Sequence, residues 1–181
     1  VYTKYPQGGE RTLIYALTGR MVNSSMLPAD VNCVVNNIDT VYAIYDAVEN
    51  RRPLTERIVT VTGDAINNPQ NLRVPIGTNL AELVDAAGGF KSEPEKLISG
   101  GPMMGIALYD LNIPVTKGTS ALLCFTRDEV RENEPSNCIN CGRCVSVCPG
   151  RIMPARLSVL AEHGDKEGFK VLNGMQRCEC G

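Results

Sequence analysis

Four cysteines followed by a proline stand in the run Cys138-Ile139-Asn140-Cys141-Gly142-Arg143-Cys144-Val145-Ser146-Val147-Cys148-Pro149. Their spacing is C-x₂-C-x₂-C-x₃-C-P, the pattern with which bacterial ferredoxins bind [4Fe–4S] clusters. Three thiolates at this spacing can wrap one face of a cubane, and Gly142 allows the tight bend that this requires. The fourth cysteine of such a run ligates the other cluster of a pair. The run therefore predicts Cys138, Cys141 and Cys144 as ligands of one cluster and Cys148 as a ligand of a second.

A second set of cysteines begins at the end of the chain, in Cys178-Glu179-Cys180-Gly181. Cys178 and Cys180 are both candidate ligands, and we expect the ligands that complete the two clusters to follow residue 181. Val1 is not an initiating methionine, and the residues after it read like the middle of a domain. We therefore expect an internal fragment that holds at most a partial or labile cluster by itself.

The cysteine usage favours iron and sulfide over a disulfide scaffold or a zinc site. Eight cysteines occur in the chain, and six of them lie between residues 138 and 180. Clustered thiols without a recognisable secretory signal indicate a reducing compartment and a metal. Zinc usually takes two C-x₂₋₄-C pairs or mixtures of cysteine and histidine, whereas the only histidine is the distant His163. We expect the other two cysteines, Cys33 and Cys124, to be buried small hydrophobes.

Net charge and hydropathy exclude two further classes of function. The chain has 18 basic and 20 acidic residues and a formal net charge of −2. It therefore lacks the basic surface that nucleic-acid binding requires and the polybasic patch that binds anionic lipids. No apolar run approaches the ~18 residues of a transmembrane helix. Any association with a membrane is expected to depend on partner subunits, and no nucleic-acid partner is expected.

Upstream of the cysteine run, residues 65–126 read as a small α+β unit. Leu72-Arg73-Val74-Pro75-Ile76 predicts an edge strand, because proline cannot donate to a strand ladder. Asn79 starts a helix in which Glu82 closes a capping box, and Gly88-Gly89 ends that helix. Three more strands are predicted at residues 96–99, 105–108 and 120–125.

Residues 1–64 alternate helices with an extended segment, which is typical of an α/β domain. One helix is predicted from Glu10 to Leu17, ended by Gly19, and another from Asp39 to Glu49. The β-branched run Ile58–Thr62 predicts a strand. Residues 127–181 begin with a charged linker and contain a helix predicted from Ala155 to His163. The fold class expected is therefore multidomain, with an α/β part and an α+β part.

Three further segments, taken with the cysteine run, carry a family resemblance. They are Tyr5-Pro6-Gln7-Gly8-Gly9-Glu10-Arg11-Thr12-Leu13-Ile14-Tyr15-Ala16-Leu17-Thr18-Gly19-Arg20, Val74-Pro75-Ile76-Gly77-Thr78 and Gly100-Gly101-Pro102-Met103-Met104-Gly105. Together they resemble, over essentially the whole chain, the C subunit of the Rnf complex, a membrane-bound ferredoxin:NAD⁺ oxidoreductase. That family is related to the flavin-binding 51-kDa subunit of respiratory NADH dehydrogenase. The resemblance implies a partial flavin/NADH domain at residues 1–64, a β-grasp module of the SLBB type at 65–126 and a truncated helical two-cluster ferredoxin domain at 127–181.

The resemblance also implies a flavin site near the N-terminus. Asn36-Asn37-Ile38-Asp39-Thr40 resembles the run that contacts FMN in the 51-kDa relatives, which makes Asn36, Asn37 and Thr40 candidate contacts. Free N–H groups at the start of a helix favour a phosphate there. A plain N-cap role for Asn37 or Asp39 explains the same residues, so both interpretations stay open.

Two other segments take candidate roles from the resemblance. Gly8, Gly9 and Glu10 align with the relatives' segment beside flavin and nicotinamide, although a glutamate in the first turn of a helix explains Glu10 equally well. In the family the second cysteine set usually reads Cys-x-Glu-Cys-Gly. Cys180 keeps the Cys-Gly order of that set, which makes it a safer candidate ligand than Cys178.

The function implied is that of an electron-transfer subunit, peripheral on the cytoplasmic side of the bacterial inner membrane. FMN would exchange hydride with NAD(H), and two [4Fe–4S] clusters would pass electrons to other subunits of the complex or to ferredoxin or flavoprotein partners. No catalytic side chain is expected, because the cofactors carry the chemistry, and the fragment alone is expected to be inactive. Two alternatives stay open: a cobalamin reductase of bacterial microcompartments with the same domain order, and a non-enzymatic β-grasp docking module with structural zinc.

Overall fold

The structure, a computed structural model, describes residues 8–23, 25–127, 130, 134, 136–148 and 150–177. These residues fall into two compact units. We call the described residues between 38 and 134 the sheet unit, and residues 8–37 together with those from 136 to 177 the cysteine unit.

Five strands form one mixed sheet in the sheet unit: β1 (Glu56–Thr62), β2 (Gln70–Pro75), β3 (Lys96–Ser99), β4 (Ile106–Leu108) and β5 (Ala121–Phe125). Their order is β2-β1-β5-β3-β4. β1 and β5 run parallel, whereas the other neighbouring pairs are antiparallel. The strands predicted from the sequence are all confirmed, with small shifts at their ends. β2 lies at an edge of the sheet, as the missing N–H of Pro75 requires.

The first strand of the sheet lies ahead of the domain boundary expected at residue 64. Thr60 pairs with Ala121 of β5, and Val59 pairs with Leu72 of β2. The β-branched run was expected to belong with the helices before it, but its pairing partners all come later in the chain. The sheet therefore begins at Glu56, because the pairing of distant strands decides which module this run joins.

The core of the sheet unit lies between one face of the sheet and the helix α3 (Leu80–Ala86). Side chains alternate across β1, so that Val59 and Val61 point inward and are 0% exposed. From α3 and β5 the core receives further buried side chains, namely Leu80, Leu83, Val84, Leu122 and Cys124. Burial of this apolar surface is the main source of stability for the unit.

The start and the end of α3 follow the residues that the sequence singles out. Asn79 Oδ1 accepts a hydrogen bond from the Ala81 N–H (3.0 Å), and Glu82 Oε1 accepts one from the Asn79 N–H (3.2 Å). Gly88 and Gly89 follow the helix with positive φ angles of 83° and 75°. The predicted capping box and glycine stop are thus confirmed.

A second helix of the sheet unit, α2 (Ile38–Glu49), starts directly after Asn37, one residue before the predicted start at Asp39. The four apolar residues of its predicted face are all exposed, between 47% and 71%. They are Val41, Ile44, Tyr45 and Val48. The helical period was identified correctly, but this face is not buried by any part of the described chain.

Four helices and two short 3₁₀ segments make up the cysteine unit. α1 (Glu10–Thr18) ends at Gly19, whose φ is +71° and whose N–H donates to the Tyr15 carbonyl at 2.9 Å, so the predicted helix and its stop are confirmed. The others are the 3₁₀ segment Pro28–Val31, α4 (Arg143–Val147), α5 (Pro154–Glu162), α6 (Lys166–Val171) and the 3₁₀ segment Gly174–Gln176. The helix predicted from Ala155 to His163 is confirmed as α5. Among the described residues, none of the helices is long and apolar enough to span a membrane.

Candidate metal centre

The cysteine run lies on the surface of the cysteine unit, in the loop before α4 and along α4 itself. Cys138, Cys141 and Cys144 are exposed, and Cys148, which follows the last residue of α4, is half-buried. All four are free thiols. Soft thiolate sulfur at this spacing is the donor set that iron–sulfur clusters use, so the chemistry of the four side chains fits the predicted group.

The backbone of this loop already has the bend that the spacing predicts. Gly142 has a φ of +74° and precedes α4, and Asn140 also has a positive φ, of +56°. This geometry turns the Asn140 N–H toward Cys138 Sγ, with an N···S distance of 3.4 Å. Hydrogen bonds from backbone N–H groups to ligand sulfurs are one of the means by which proteins tune cluster potentials.

The sulfur atoms themselves are not gathered into one metal-binding geometry. Within the described ranges, no group of three or more His, Cys, Asp or Glu side chains is arranged to hold a metal ion. The predicted ligands Cys178 and Cys180 lie outside the described residues.

Cys148 lies close to the segment that leads into the second cysteine set. A Cβ atom placed on Gly150 would be 3.2 Å from the Gln176 carbonyl oxygen and 3.9 Å from Cys148 Sγ. The sulfur of Cys148 and the backbone of residue 176 thus both lie within 4 Å of the same point. In the sequence, Cys178 follows Gln176 by two positions.

The segment predicted beside flavin and nicotinamide forms the start of α1. Gly9 is the residue before the helix, and its carbonyl accepts hydrogen bonds from the Leu13 N–H and the Thr12 hydroxyl, both at 2.8 Å. Glu10 is exposed in the first turn, where a carboxylate favours the helix dipole. Gly8 and Gly9 are exposed as well.

The other candidate flavin contacts flank the start of α2. Asn36 and Asn37 are exposed and directly precede Ile38, the first residue of the helix. Thr40 is exposed in its first turn. Asn36 and Asn37 belong to the cysteine unit and Thr40 to the sheet unit. Both asparagines thus have the position next to a helix start that the phosphate interpretation and the N-cap interpretation share.

A pocket of about 340 Å³ in the sheet unit, between α2 and the start of β1, was not expected from the sequence. Arg57 lines this pocket, and its side chain is only 11% exposed. Its guanidinium is 3.9 Å from the Asp39 carboxylate, and its Nε has no hydrogen-bond partner among the described residues. Arg57 shares the inward face of β1 with Val59 and Val61, so strand alternation was the signal that could have identified it.

The two cysteines outside the motif differ in burial. Cys124 of β5 is 0% exposed in the core, which confirms the expectation, and burial raises the pKa of its thiol to about 11. Cys33 is only half-buried. The Cys124 thiol is therefore protonated at neutral pH and unsuited to metal binding, because the thiolate is the ligand.

Three family models match successive parts of the chain. The model for the Nuo51 FMN-binding domain matches residues 1–46, that for the SLBB domain matches residues 58–107, and that for the 4Fe-4S binding domain matches residues 133–152. Their order along the chain confirms the expected multidomain layout. The predicted first cluster ligands all fall within the third match.

Curated relatives align with most of the chain. The C subunit of a proton-translocating ferredoxin:NAD(+) oxidoreductase complex from Clostridium ljungdahlii is 51% identical over 160 residues, which are 88% of this chain and 35% of the relative. Its counterpart in the Na(+)-translocating complex of Acetobacterium woodii is 49% identical over 158 residues, 87% of this chain and 36% of the relative. The C subunit of the ion-translocating oxidoreductase complex of Rhodobacter capsulatus is 44% identical over 168 residues, 93% of this chain and 32% of the relative.

The chain thus spans about a third of the length of these relatives. The matched domains agree with the resemblance that the sequence motifs indicate. Over the residues that align, the chain belongs to the family of the C subunits of ion-translocating ferredoxin:NAD(+) oxidoreductase complexes.

Proposed function

We propose that this chain is the part of an Rnf-type C subunit that passes electrons between NAD(H), FMN and two [4Fe–4S] clusters. The observation that carries the proposal is the cysteine run with its complete C-x₂-C-x₂-C-x₃-C-P spacing, inside the match to a 4Fe-4S binding domain. When bound, the flavin supplies the exchange between hydride and single electrons, and the clusters supply one-electron transfer. The side chains bind these groups, and the proposal requires no side chain to act as an acid, a base or a nucleophile.

Cys138, Cys141 and Cys144 are the proposed ligands of the first cluster. Asn140 and Gly142 support them, because their positive φ angles bend the loop and aim a backbone N–H at Cys138 Sγ. We assign Cys148 to the second cluster, together with the set that contains Cys178 and Cys180. Its half-burial and its place beside Gln176 support this assignment.

The flavin is proposed to lie against the segments Gly8-Gly9-Glu10 and Asn36-Asn37, with Thr40. The start of α2, a helix of 12 residues, offers N–H groups to a phosphate. The match of residues 1–46 to an FMN-binding domain supports this placement.

At the level of modules, we propose a flavin/NADH domain at 1–64, a β-grasp module of the SLBB type at 65–126 and a ferredoxin domain at 127–181. The SLBB match over residues 58–107 supports the second module. The five-stranded sheet also includes β1 (Glu56–Thr62), which lies before residue 65, within the range proposed for the first module.

The proposed partners are the other subunits of a membrane-bound complex and a ferredoxin or flavoprotein that exchanges electrons with it. The names of the relatives, which are subunits of ion-translocating complexes, support this. The proposed location is peripheral, on the cytoplasmic side of the bacterial inner membrane.

The experiment that tests the function compares full-length protein, purified without oxygen, with its Cys141→Ser variant. The wild type is expected to be brown, to contain iron and sulfide, and to give a low-temperature EPR signal after reduction. Cys141→Ser should lose about half of the iron, because it removes a ligand of only one of two clusters, and should slow electron transfer from NADH. The half-buried Cys33, changed to serine, is the matched control and should retain both clusters.

Two results would contradict the proposal. One is a colourless, EPR-silent wild type that contains zinc, which would support the docking module. The other is a Cys141→Ser variant whose iron content and EPR signal equal those of the wild type.

A further inference from the structure

We propose that Gly150 is a positioning residue for Cys148: the absent side chain lets the turn after Cys148 lie against the backbone of Gln176, and so aims the Cys148 thiolate at the second cluster. This inference rests on the proposed function, since it needs a second cluster between Cys148 and the set that begins at Cys178. Gly150 has no side chain that could ligate a metal, and it lies outside the C-x₂-C-x₂-C-x₃-C-P pattern.

The chain reverses direction directly after Cys148. The Cys148 carbonyl accepts a hydrogen bond from the Arg151 N–H at 3.1 Å, which closes a four-residue turn. Arg151 has a positive φ of 50°, an uncommon conformation for a residue with a side chain. Gly150 lies inside this turn, so its position relative to Cys148 is set by the local backbone.

At Gly150, the same turn comes close to the backbone of Gln176. A Cβ there would be 3.2 Å from the Gln176 carbonyl oxygen, closer than ordinary van der Waals contact. A methyl group at 150 would thus require one of the two backbones to move by a few tenths of an ångström, and a larger side chain would require more. Cys148 Sγ lies 3.9 Å from the same Cβ position, so a displaced turn would carry the sulfur with it.

The Gln176 side of this contact has little room to yield. The Phe169 ring occupies the space that a Cβ on Gly174 would need, and Gly174 is buried. Asn173 has a positive φ of 56°, and its carbonyl accepts the Gln176 N–H at 2.9 Å. Because the 3₁₀ segment Gly174–Gln176 is fixed in this way, a side chain at 150 should displace the Cys148 turn instead.

The expected effect is selective for one cluster. Cys138 and Cys141 lie on the loop before α4, and Cys144 lies on α4 itself. All three are exposed, and none of them is among the nearest atoms to Gly150. A change at Gly150 should therefore alter the cluster that Cys148 ligates and leave the other cluster unchanged.

The test uses the full-length protein, purified without oxygen, with Gly150 changed to alanine and to leucine. Gly150→Ala should keep both clusters but shift the reduction potential and EPR line shape of one of them. Gly150→Leu should lose that cluster and about half of the iron, as Cys148→Ser should. Gly101→Ala is the matched control, since a Cβ at Gly101 meets nothing within 4 Å and its φ is not positive. Circular dichroism checks that each variant folds.

The inference is overturned if Gly150→Leu folds and keeps the iron content, potentials and EPR spectrum of the wild type. It is also overturned if Gly150→Ala shifts both clusters by the same amount, because that would indicate general distortion of the unit. Both results leave the proposed function standing, provided that the wild type contains two clusters. A wild type without iron refutes the proposed function itself, and the inference then loses its basis.

Discussion

Thr126, the residue after β5, is bound by the carboxylate of Asp64 through two hydrogen bonds. The Thr126 N–H donates to Asp64 Oδ1 at 2.8 Å, and the Thr126 hydroxyl donates to Asp64 Oδ2. The hydrogen bond from the hydroxyl is the main reason that the pKa of Asp64 is lowered from its ordinary value of 3.8. Asp64 thereby connects the end of β1 to the end of β5.

This pair predicts a dependence of stability on pH. Because the folded-state pKa of Asp64 lies below its unfolded value of 3.8, the carboxylate stabilises the fold above about pH 3.8, and the contribution is lost as the pH falls through the folded-state pKa. Thr126→Val should therefore lower the melting temperature at pH 7, and the difference from the wild type should shrink below pH 3.8. Thr55→Val, at an exposed threonine in the same unit, is the control. A difference that stays constant from about pH 7 to about pH 3 would contradict this role.

At the residue scale, the sequence identifies chemistry that depends on spacing along the chain. The cysteine run can be predicted because its ligands are close neighbours in sequence, and Gly142 because a bend is needed between them. The Asp64–Thr126 pair could not be predicted, since 62 positions separate the two residues. Strand alternation could have identified Arg57 as an inward-facing residue of β1, but its contact with Asp39 depends on how β1 packs against α2.

Among the elements, the connection after β1 passes very close to the end of β5. Gly63 has a φ of +125°, and a Cβ there would overlap the Cys124 carbonyl. That same carbonyl accepts the Ala65 N–H at 3.2 Å. Only glycine fits this position without moving one of the two parallel strands.

Gly63→Ala should destabilise the sheet unit by about 1–3 kcal/mol or more, the cost of a strained backbone position plus the overlap with Cys124. Urea unfolding of the wild type and the variant measures this difference. Gly118→Ala is the matched control, because the nearest atom to its Cβ is Thr116 Oγ1 at 4.0 Å and its φ is not positive. Equal midpoints for the two variants would contradict the steric account.

The positions of helices and strands followed from local signals. The Asn79 capping box, the glycine stops and the β-branched run each act within a few residues, and the structure confirms them. The strand order did not follow, since it depends on the parallel pairing of β1 with β5, whose partners Thr60 and Ala121 are distant in the sequence. For the same reason, β1 was predicted to belong with the helices before it and not with the strands that it pairs with.

On the scale of the whole molecule, the core of the sheet unit and the cysteine run belong to different units. The core consists of aliphatic side chains, most of them from β1, α3 and β5, with the protonated thiol of Cys124 among them. Nothing in this core depends on metal coordination, so the sheet unit is expected to fold whether or not iron is bound.

Replacing Cys138, Cys141, Cys144 and Cys148 together with serine should leave the β5 amides as protected from hydrogen exchange as in the wild type. Leu122→Ala, which removes a buried side chain of the same strand, should speed their exchange, because such a change costs about 2–5 kcal/mol. Exchange followed by mass spectrometry measures both variants. Faster exchange of β5 in the serine variant would show that the sheet needs the metal.

The order of modules was predictable because each has its own local signature, and the three family models match in that order. The arrangement of the sulfur atoms was not predictable, because a complete set of cluster ligands forms only when distant segments of the chain come together around the cluster. Cys138, Cys141 and Cys144 are exposed, whereas Cys148 is half-buried, a difference that the spacing of the run does not predict.

The burial of Cys124 has a consequence for which thiols of the chain can react. Alkylating reagents and metal ions react with accessible thiolate, and Cys124, at 0% exposure and with a pKa of about 11, provides neither access nor charge. The sulfurs of the loop before α4, in contrast, face solvent. In the folded sheet unit, Cys124 should therefore not compete with the exposed thiols of the cysteine run for alkylating reagents or metal ions.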